Sequence, residues 1–254
     1  MSILPSNKNS NRKYNVINDR LHHSKLSIQS FPKTVIPPVV DLRKRFPEPF
    51  DQGELGSCTA NALCAIVSYD LSSSFIGSRL FLYYNERVLE NEINEDAGAL
   101  LSDGVLTLQK YGICSENTWP YDVSKFTVKP HENAYNEATR HKAIKVSHIA
   151  NDITSMKNSL ANGNPFVVGI EIFDSFETEH VAKTGIVPLP NPETERYQGG
   201  HAVVCCGYDD NKKHWIMRNS WGPHWGDGGY FYIPYLYLLD SFYASDLWSI
   251  QTIS

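Results

Sequence analysis

The sequence lacks any apolar run close to the ~18 residues that a membrane-spanning helix needs. Its N-terminus also lacks the apolar core of ~7–15 residues that a secretory signal peptide carries. Cysteines are few and odd in number, five in 254 residues, and their spacing forms no disulfide framework. These absences favour a protein that spans no membrane and does not depend on disulfides. They leave its location open between the cytoplasm and export by a non-classical route.

Positive charge is scarce in the body of the chain relative to its N-terminal part. Residues 1–35 carry a net charge of +5 in a chain whose total is −5, so the remaining residues carry −10. A basic arm can dock on such an acidic body, although an Asn- and Ser-rich solvated tail would show the same composition. The basic residues are too few and scattered to indicate nucleic-acid binding. The 41% apolar content suits one catalytic unit or two small lobes that share a cleft.

Periodicity divides the chain into a helical part and a strand-rich part. Helical spacing of apolar residues predicts helices over 58–71, 79–90, 102–110 and 152–160. β-Branched and aromatic runs predict strands over 166–172, 201–208, 214–220 and 229–233. Helices followed by strands indicate an α+β arrangement. The first helix is apolar on most sides, so we expect it to be buried centrally.

Cys58 lies where a glycine-containing loop enters this first helix. A nucleophilic cysteine needs its thiolate form, which unpaired amides and the macrodipole at a helix N-terminus stabilise. For an arbitrary cysteine a buried structural role is the commoner explanation. Here Gln52 lies six residues upstream, with Gly53 and Gly56 permitting a tight turn and close approach of a substrate backbone. The Gln52 amide and the Cys58 backbone N–H are candidate donors to the oxyanion of acyl transfer.

The second half of the chain supplies a candidate base. His201 follows two glycines at the start of a predicted strand, and Asn219 comes 18 residues later. A lone histidine is commonly a satisfied surface residue. Asn219, however, can accept the imidazole N–H and fix the tautomer of His201. Trp221 would then cover that hydrogen bond from water, although core packing alone would also explain it.

A metal site is the alternative that His22, His23, Cys205 and Cys206 suggest. Their spacing is not that of zinc ligands, and adjacent strand residues point to opposite faces. We therefore expect Cys205 in the core and Cys206 in solvent.

The ordered blocks QGELGSC, GGHAVVCCGY and RNSWGPHWGDGGY resemble those of papain-like, cathepsin-type cysteine proteases. The separation of 143 residues from Cys58 to His201 agrees with that family, and Asn219 follows in the expected order. The resemblance covers roughly residues 36–250. It implies a two-lobe α+β fold, with a helical left lobe, a β-barrel-like right lobe and the active-site cleft between. It also implies hydrolysis through a Cys58 acyl-enzyme, with His201 as proton donor, Asn219 orienting it and Gln52 stabilising the oxyanion.

The same resemblance implies no metal and no organic cofactor, and it divides the chain. We place an N-terminal extension at 1–35 and the peptidase domain at 36–254, with the helical lobe at about 45–130 and the β lobe at about 131–235. The C-terminal segment then packs back on the body. The family's long inhibitory pro-region is absent, but residues 14–29 carry enough apolar side chains to lie along the cleft as a short pro-segment.

Some positions depart from the family. Leu55 and Thr59 replace a common disulfide cysteine and a common aromatic, and residues 96–104 replace the usual double-glycine segment. Substrate subsites therefore transfer poorly, and Gly169, Gly199 and Trp221 are only candidate substrate-binding residues.

Several activities fit these residues. We favour endopeptidase action on peptide or protein substrates. A Pro-rich loop at 187–198 offers the exopeptidase alternative if it narrows the leaving-group side, and a transpeptidase or ligase would use the same triad. The complete Gln–Cys–His–Asn set disfavours a non-catalytic binding protein.

Overall fold

A computed structural model describes Tyr14, residues 16 and 17, and residues 35–252. His22, His23 and most of the extension at 1–35 lie outside the described residues. The helices are α1 Cys58–Leu71, α2 Arg79–Glu90, α3 Leu101–Lys110, α4 Glu132–Ala138, α5 Ile153–Ala161, α6 Glu179–Thr184 and α7 Tyr235–Leu239. The strands are β1 Val16–Ile17, β2 Val39–Asp41, β3 Ala99–Leu100, β4 Ala143–His148, β5 Phe166–Phe173, β6 Tyr197–Asp209, β7 His214–Arg218, β8 Tyr230–Pro234 and β9 Ala244–Thr252.

The predicted α+β class is confirmed. Helices α1 to α3 precede a seven-stranded sheet of order β4-β9-β5-β6-β7-β8, and β2 pairs with the end of β6. The sheet pairs on this path are antiparallel. Among the described strands the sheet is open rather than closed, since β4 and β8 are its two ends. "β-Barrel-like" is therefore a loose description of this lobe.

Helix α1 is buried along nearly its whole length, as its sequence predicts. Residues 58–69 are all buried, because Ala, Leu, Ile and Val occur on every side of the helix. It contacts α2 and α3 on the helical side and β5, β6 and β9 on the sheet side. Its N-terminus therefore lies at the junction of the two parts of the molecule.

The sheet is covered on both faces, which corrects one expectation. Cys205 and Cys206 do point to opposite faces of β6, yet both are fully buried. Cys206 belongs to the apolar cluster that contains α1, and Cys205 to the cluster on the other face. The prediction of one solvent-facing cysteine was wrong because a strand buried on both sides is apolar throughout instead of alternating.

Two strand boundaries also differ from the predictions. Strand β6 begins at Tyr197, so His201 lies in the strand interior, opposite Ile170 of β5. Strand β7 ends at Arg218 rather than at residue 220. The chain leaves the ladder there because the Ser220 carbonyl accepts from the backbone N–H of Gln52 at 2.9 Å.

Every helix in the described part of the chain falls short of the length and apolarity that crossing a bilayer requires. Within the same residues, all five cysteines are free and buried. That part of the chain also brings no three His, Cys, Asp or Glu side chains together as metal ligands.

Candidate active site

Cys58 is the first residue of α1 and is fully buried. Burial raises the pKa of its thiol to about 11, and a negative charge on Glu86 would act in the same direction. Hydrogen bonds from the backbone N–H groups of Ala202, Thr59 and Cys58 itself oppose that shift. Because Ala202 directly follows His201, the sulfur lies against the strand that carries the candidate base.

His201 is held from the opposite side. It is fully buried, and its Nε2 lies 2.8 Å from Oδ1 of Asn219. The same Oδ1 accepts from the backbone N–H of Ser220 at 2.9 Å, which identifies it as the amide oxygen. Nε2 is therefore the donor in its bond to Asn219, and proton exchange with a sulfur must pass through Nδ1.

Aromatic rings enclose this pair. The Trp221 ring stacks on His201 with centroids 5.0 Å apart and an interplanar angle of 23°, and Trp221 is itself buried. Phe176 and Trp225 pack edge-on against Trp221, with centroids at 5.6 and 4.8 Å. The His201–Asn219 hydrogen bond therefore lies in a dry environment, where it is electrostatically stronger than in water.

Gln52 connects the loop before α1 to the segment after β7. Its Oε1 accepts from the Ser220 hydroxyl at 2.6 Å, and its Nε2 donates to the Leu55 carbonyl at 3.0 Å. Tyr121 donates to the Gln52 carbonyl at 3.0 Å and lies 2.5 Å from the Ser57 hydroxyl. The bonds to Ser220 and Leu55 fix the buried Gln52 side chain, and Tyr121 fixes its backbone, on the side of the site where α1 begins.

Arg218 strengthens the same connection. Buried at the end of β7, it donates to the carbonyls of Pro47 and Glu48, each at 2.7 Å. The loop ahead of Gln52 is therefore tied to the strand that leads into Asn219.

The candidate substrate-binding glycines lie in adjacent strands. Gly169 in β5 pairs with Ala202 of β6 and with Ser245 of β9. Gly199 has a φ of 137°, and a Cβ there would lie 2.5 Å from the backbone oxygen of Tyr14. Gly199 therefore admits the close approach of another polypeptide backbone.

The extension reaches this site. The Tyr14 ring packs edge-on against His201 and Trp221, with centroids at 6.0 and 5.8 Å. Two residues further, β1 pairs in parallel with β3, which lies within the 96–104 segment. The chain thus passes from the strand of His201 to the helical side of the molecule.

Some residues around the site escaped the sequence analysis. Ser220 binds the side chain of Gln52 and Tyr121 binds its backbone. The position of Ser220 next to Asn219 in the RNSW block was the one sequence feature that pointed to Ser220. Glu86 binds Thr59, the position where the family's aromatic is missing, at 2.8 Å. An acid within the apolar face of α2 was the signal that could have found it.

Comparison with known proteins settles the family. The model of the papain family of cysteine proteases matches residues 36–236. The chain belongs to the papain family.

An uncharacterised peptidase C1-like protein of Acanthamoeba polyphaga mimivirus is 44% identical over 248 residues, covering 91% of this chain and 79% of that protein. Xylellain, a cysteine protease of Xylella fastidiosa, has a crystal structure with a TM-score of 0.88 and 37% identity over the whole of both chains. A cathepsin B-like protein of Giardia intestinalis, CP3, is 28% identical and covers 79% of this chain and 70% of its own length. The predicted papain-like fold and cysteine-protease family are thereby confirmed, and as a member this protein is a hydrolase of peptide substrates.

Proposed function

We propose that this papain-family protein is a cysteine endopeptidase that cleaves peptide bonds through a thioester on Cys58. One observation carries the proposal: the Cys58 sulfur lies at the Ala202 amide, beside a histidine whose Nε2 is bound to Asn219. A helix N-terminus, an adjacent imidazole and an orienting amide are the parts that an activated thiol nucleophile requires.

The reaction uses these groups in two steps. The Cys58 thiolate attacks the scissile carbonyl, and the His201 imidazolium protonates the departing amine, leaving a thioester. Water then attacks the thioester while His201 takes its proton, which releases the acid and restores the thiolate–imidazolium pair. The Cys58 backbone N–H is one oxyanion donor. Since the bond to Leu55 uses one of the two Nε2 hydrogens of Gln52, we assign the other to the oxyanion.

The path of the extension supports endopeptidase action. Tyr14 contacts the His201 side and residues 16 and 17 pair with β3, so a polypeptide crosses the site without ending there. An endopeptidase substrate, which continues on both sides of the cleaved bond, must also cross the site without ending there. The loop at 187–198 is held by hydrogen bonds to Tyr232 in β8, to Ser175 just after β5 and to Tyr243 just before β9.

Product analysis separates the candidate activities. A denatured protein incubated with the enzyme should yield internal fragments in mass spectrometry. A ladder of single residues or dipeptides would replace endopeptidase with exopeptidase action. Fragments joined to an added amine nucleophile would indicate a transpeptidase or ligase. Loss of all products in Cys58→Ala serves as the control.

We further propose that residues 1–35 inhibit the enzyme from within the chain. Tyr14 covers His201 and Trp221, and both Cys58 and His201 have no exposed surface. The arm carries +5 against −10 on the body, so electrostatic attraction favours its docking. Covering the site also desolvates the sulfur, which favours the unreactive thiol.

Deleting residues 1–35 tests this inhibition. Peptidase turnover should rise by about tenfold or more, and Tyr14→Ala should raise it by a smaller factor. Tyr111→Ala, which removes a half-buried tyrosine of the helical part, is the matched control and should leave turnover unchanged. Equal turnover with and without the arm would discard the proposal.

A further inference from the structure

Glu86 is a buried acid that the reaction described above does not use. It lies on α2 with no exposed surface, and its Oε2 accepts from the Thr59 hydroxyl at 2.8 Å. Its Oε1 has no hydrogen-bond partner among the residues that the structure describes. Thr59, which is also fully buried, is the second residue of α1 and follows the nucleophile.

The positive charge of Arg87 lowers the pKa of this carboxyl group, but the two side chains form no salt bridge. Its neighbour Arg87 directs its guanidinium to the carbonyls of Ile93 and Glu95, each at 3.0 Å. The backbone of Gly104 in α3 packs directly on the acid, since a Cβ there would lie 2.5 Å from Oε1. Glu86 is therefore enclosed by protein with one hydrogen bond.

Such surroundings favour the neutral acid. An ionised carboxylate with a single hydrogen bond and no salt bridge is costly to bury. Burial raises the pKa of Glu86 well above its ordinary value and outweighs the hydrogen bond from Thr59 and the charge of Arg87, which lower it, while the nearby acids Glu90 and Asp103 act in the same direction as burial. The titratable groups around it are Cys58 and Cys64 on α1, Arg87 and Glu90 on α2, and Asp103 on α3.

The acid is connected to the sulfur through one residue. The backbone N–H of Thr59 is one of the amides that stabilise the Cys58 thiolate, and the Thr59 side chain is held by Glu86. We propose that Glu86 is a positioning residue which, as a neutral acid, fixes Thr59 and thereby the amide donors at the start of α1. This inference rests on the function proposed for Cys58.

The protonation state of Glu86 matters because, in a site without water, its charge would act strongly on the nearby Cys58 sulfur. A negative charge on Glu86 would raise the pKa of the Cys58 thiol and so disfavour its thiolate. The neutral acid provides the hydrogen bond to Thr59 without that charge.

Four variants of the full-length chain test the proposal. Glu86→Gln keeps a neutral acceptor, Thr59→Val removes the hydroxyl, and Thr59→Ser retains it. Thr107→Val is the matched control, because Thr107 is a fully buried threonine of α3 whose hydroxyl has no partner among the described residues. Two quantities are measured: peptidase kcat and KM, and the rate of Cys58 alkylation against pH by mass spectrometry of the labelled peptide.

We expect Thr59→Val to lower kcat about tenfold with little change in KM, the loss expected for a buried polar group without its partner. It should raise the midpoint of Cys58 alkylation by about one pH unit. Glu86→Gln and Thr59→Ser should stay within about twofold of the parent in kcat and about 0.3 pH unit in midpoint. Thr107→Val should match the parent.

Two results would overturn the inference. A fall of about one pH unit in the alkylation midpoint of Glu86→Gln would mean that Glu86 is ionised. Unchanged kcat and midpoint in Thr59→Val would mean that the contact positions nothing, even if Glu86→Gln fails to fold. Absence of peptidase activity and of Cys58 labelling both in the parent and in the chain without residues 1–35 would instead refute the proposed function.

Discussion

The two sides of the candidate site are built differently. The sulfur lies at a helix terminus, where the backbone amides of Cys58 and Thr59, together with that of Ala202 from β6, lower the thiol pKa that burial raises. The imidazole depends on a sheet, because His201 lies inside β6 and is held by Asn219 and Trp221 from the segment after β7. The helix side therefore controls the charge state of the Cys58 sulfur, and the sheet side controls the orientation of the His201 imidazole.

Gln52 and Arg218 connect the two sides. The first binds Ser220 after β7, and the second binds carbonyls of the loop ahead of α1. Because both are buried, a change at either one should disturb both sides at once. Single changes elsewhere should separate the effects of charge from those of orientation.

The largest effect should come from the nucleophile. Cys58→Ala should reduce kcat on the order of 10⁶-fold, since no other group can form the thioester. Cys64→Ala, which removes another fully buried thiol of α1, should retain activity within about twofold. Peptide hydrolysis by both variants checks this, and comparable losses in the two would indicate a structural role for Cys58.

Gln52→Ala should give the next largest loss. Without its amide donor, kcat should fall about 10²-fold with KM little changed, because the oxyanion forms only in the transition state. Ser220→Ala removes only the hydroxyl that binds Gln52 Oε1 and should cost a few-fold at most. Steady-state kinetics with one peptide substrate compares them, and an equal loss in KM and kcat would point to general unfolding of the site.

Asn219→Ala should affect orientation more than chemistry. We expect kcat to fall about tenfold to 10²-fold, and the alkaline limb of the activity profile to move to lower pH because the imidazolium loses an acceptor. Asn158→Ala on α5 provides the control. An unchanged profile would show that the hydrogen bond to His201 at 2.8 Å does not influence its proton.

On the helix side, the protonation state of Glu86 should affect how the free energy of unfolding depends on pH. Glu86 keeps its proton in the folded state but ionises when unfolded above its ordinary pKa, so the unfolded state binds fewer protons and stability falls as pH rises. Glu86→Gln should therefore gain about 1.4 kcal/mol over the parent for each pH unit above that value, up to the folded-state pKa. Urea unfolding at acid and neutral pH measures the difference, and equal gains at both would contradict a neutral Glu86.

The sequence predicted those secondary-structure elements and candidate catalytic residues that local residue patterns determine. Helices α1 and α2 have the predicted bounds, since apolar spacing and the Ser78 cap determine them locally. The order of Cys58, His201 and Asn219 was visible because each lies in a distinct block of residues.

What the sequence could not provide depends on contacts distant along the chain. The bond between Thr59 and Glu86 spans 27 positions, and the one between Gln52 and Ser220 spans 168. No local pattern marks such partners. The burial of Cys206 was missed for a related reason, because packing of α1 on the sheet decides it rather than the strand's own alternation.

The central claim, that the sulfur of Cys58 reacts together with the imidazole of His201, is tested by the pH dependence of Cys58 alkylation in the chain without residues 1–35. With His201 present, alkylation should continue on the acid side of neutrality, because an ion pair keeps the thiolate there. In His201→Ala that acid-side rate should disappear, leaving a single rise in alkali. Superimposable profiles for the two proteins would contradict the pairing of these two side chains.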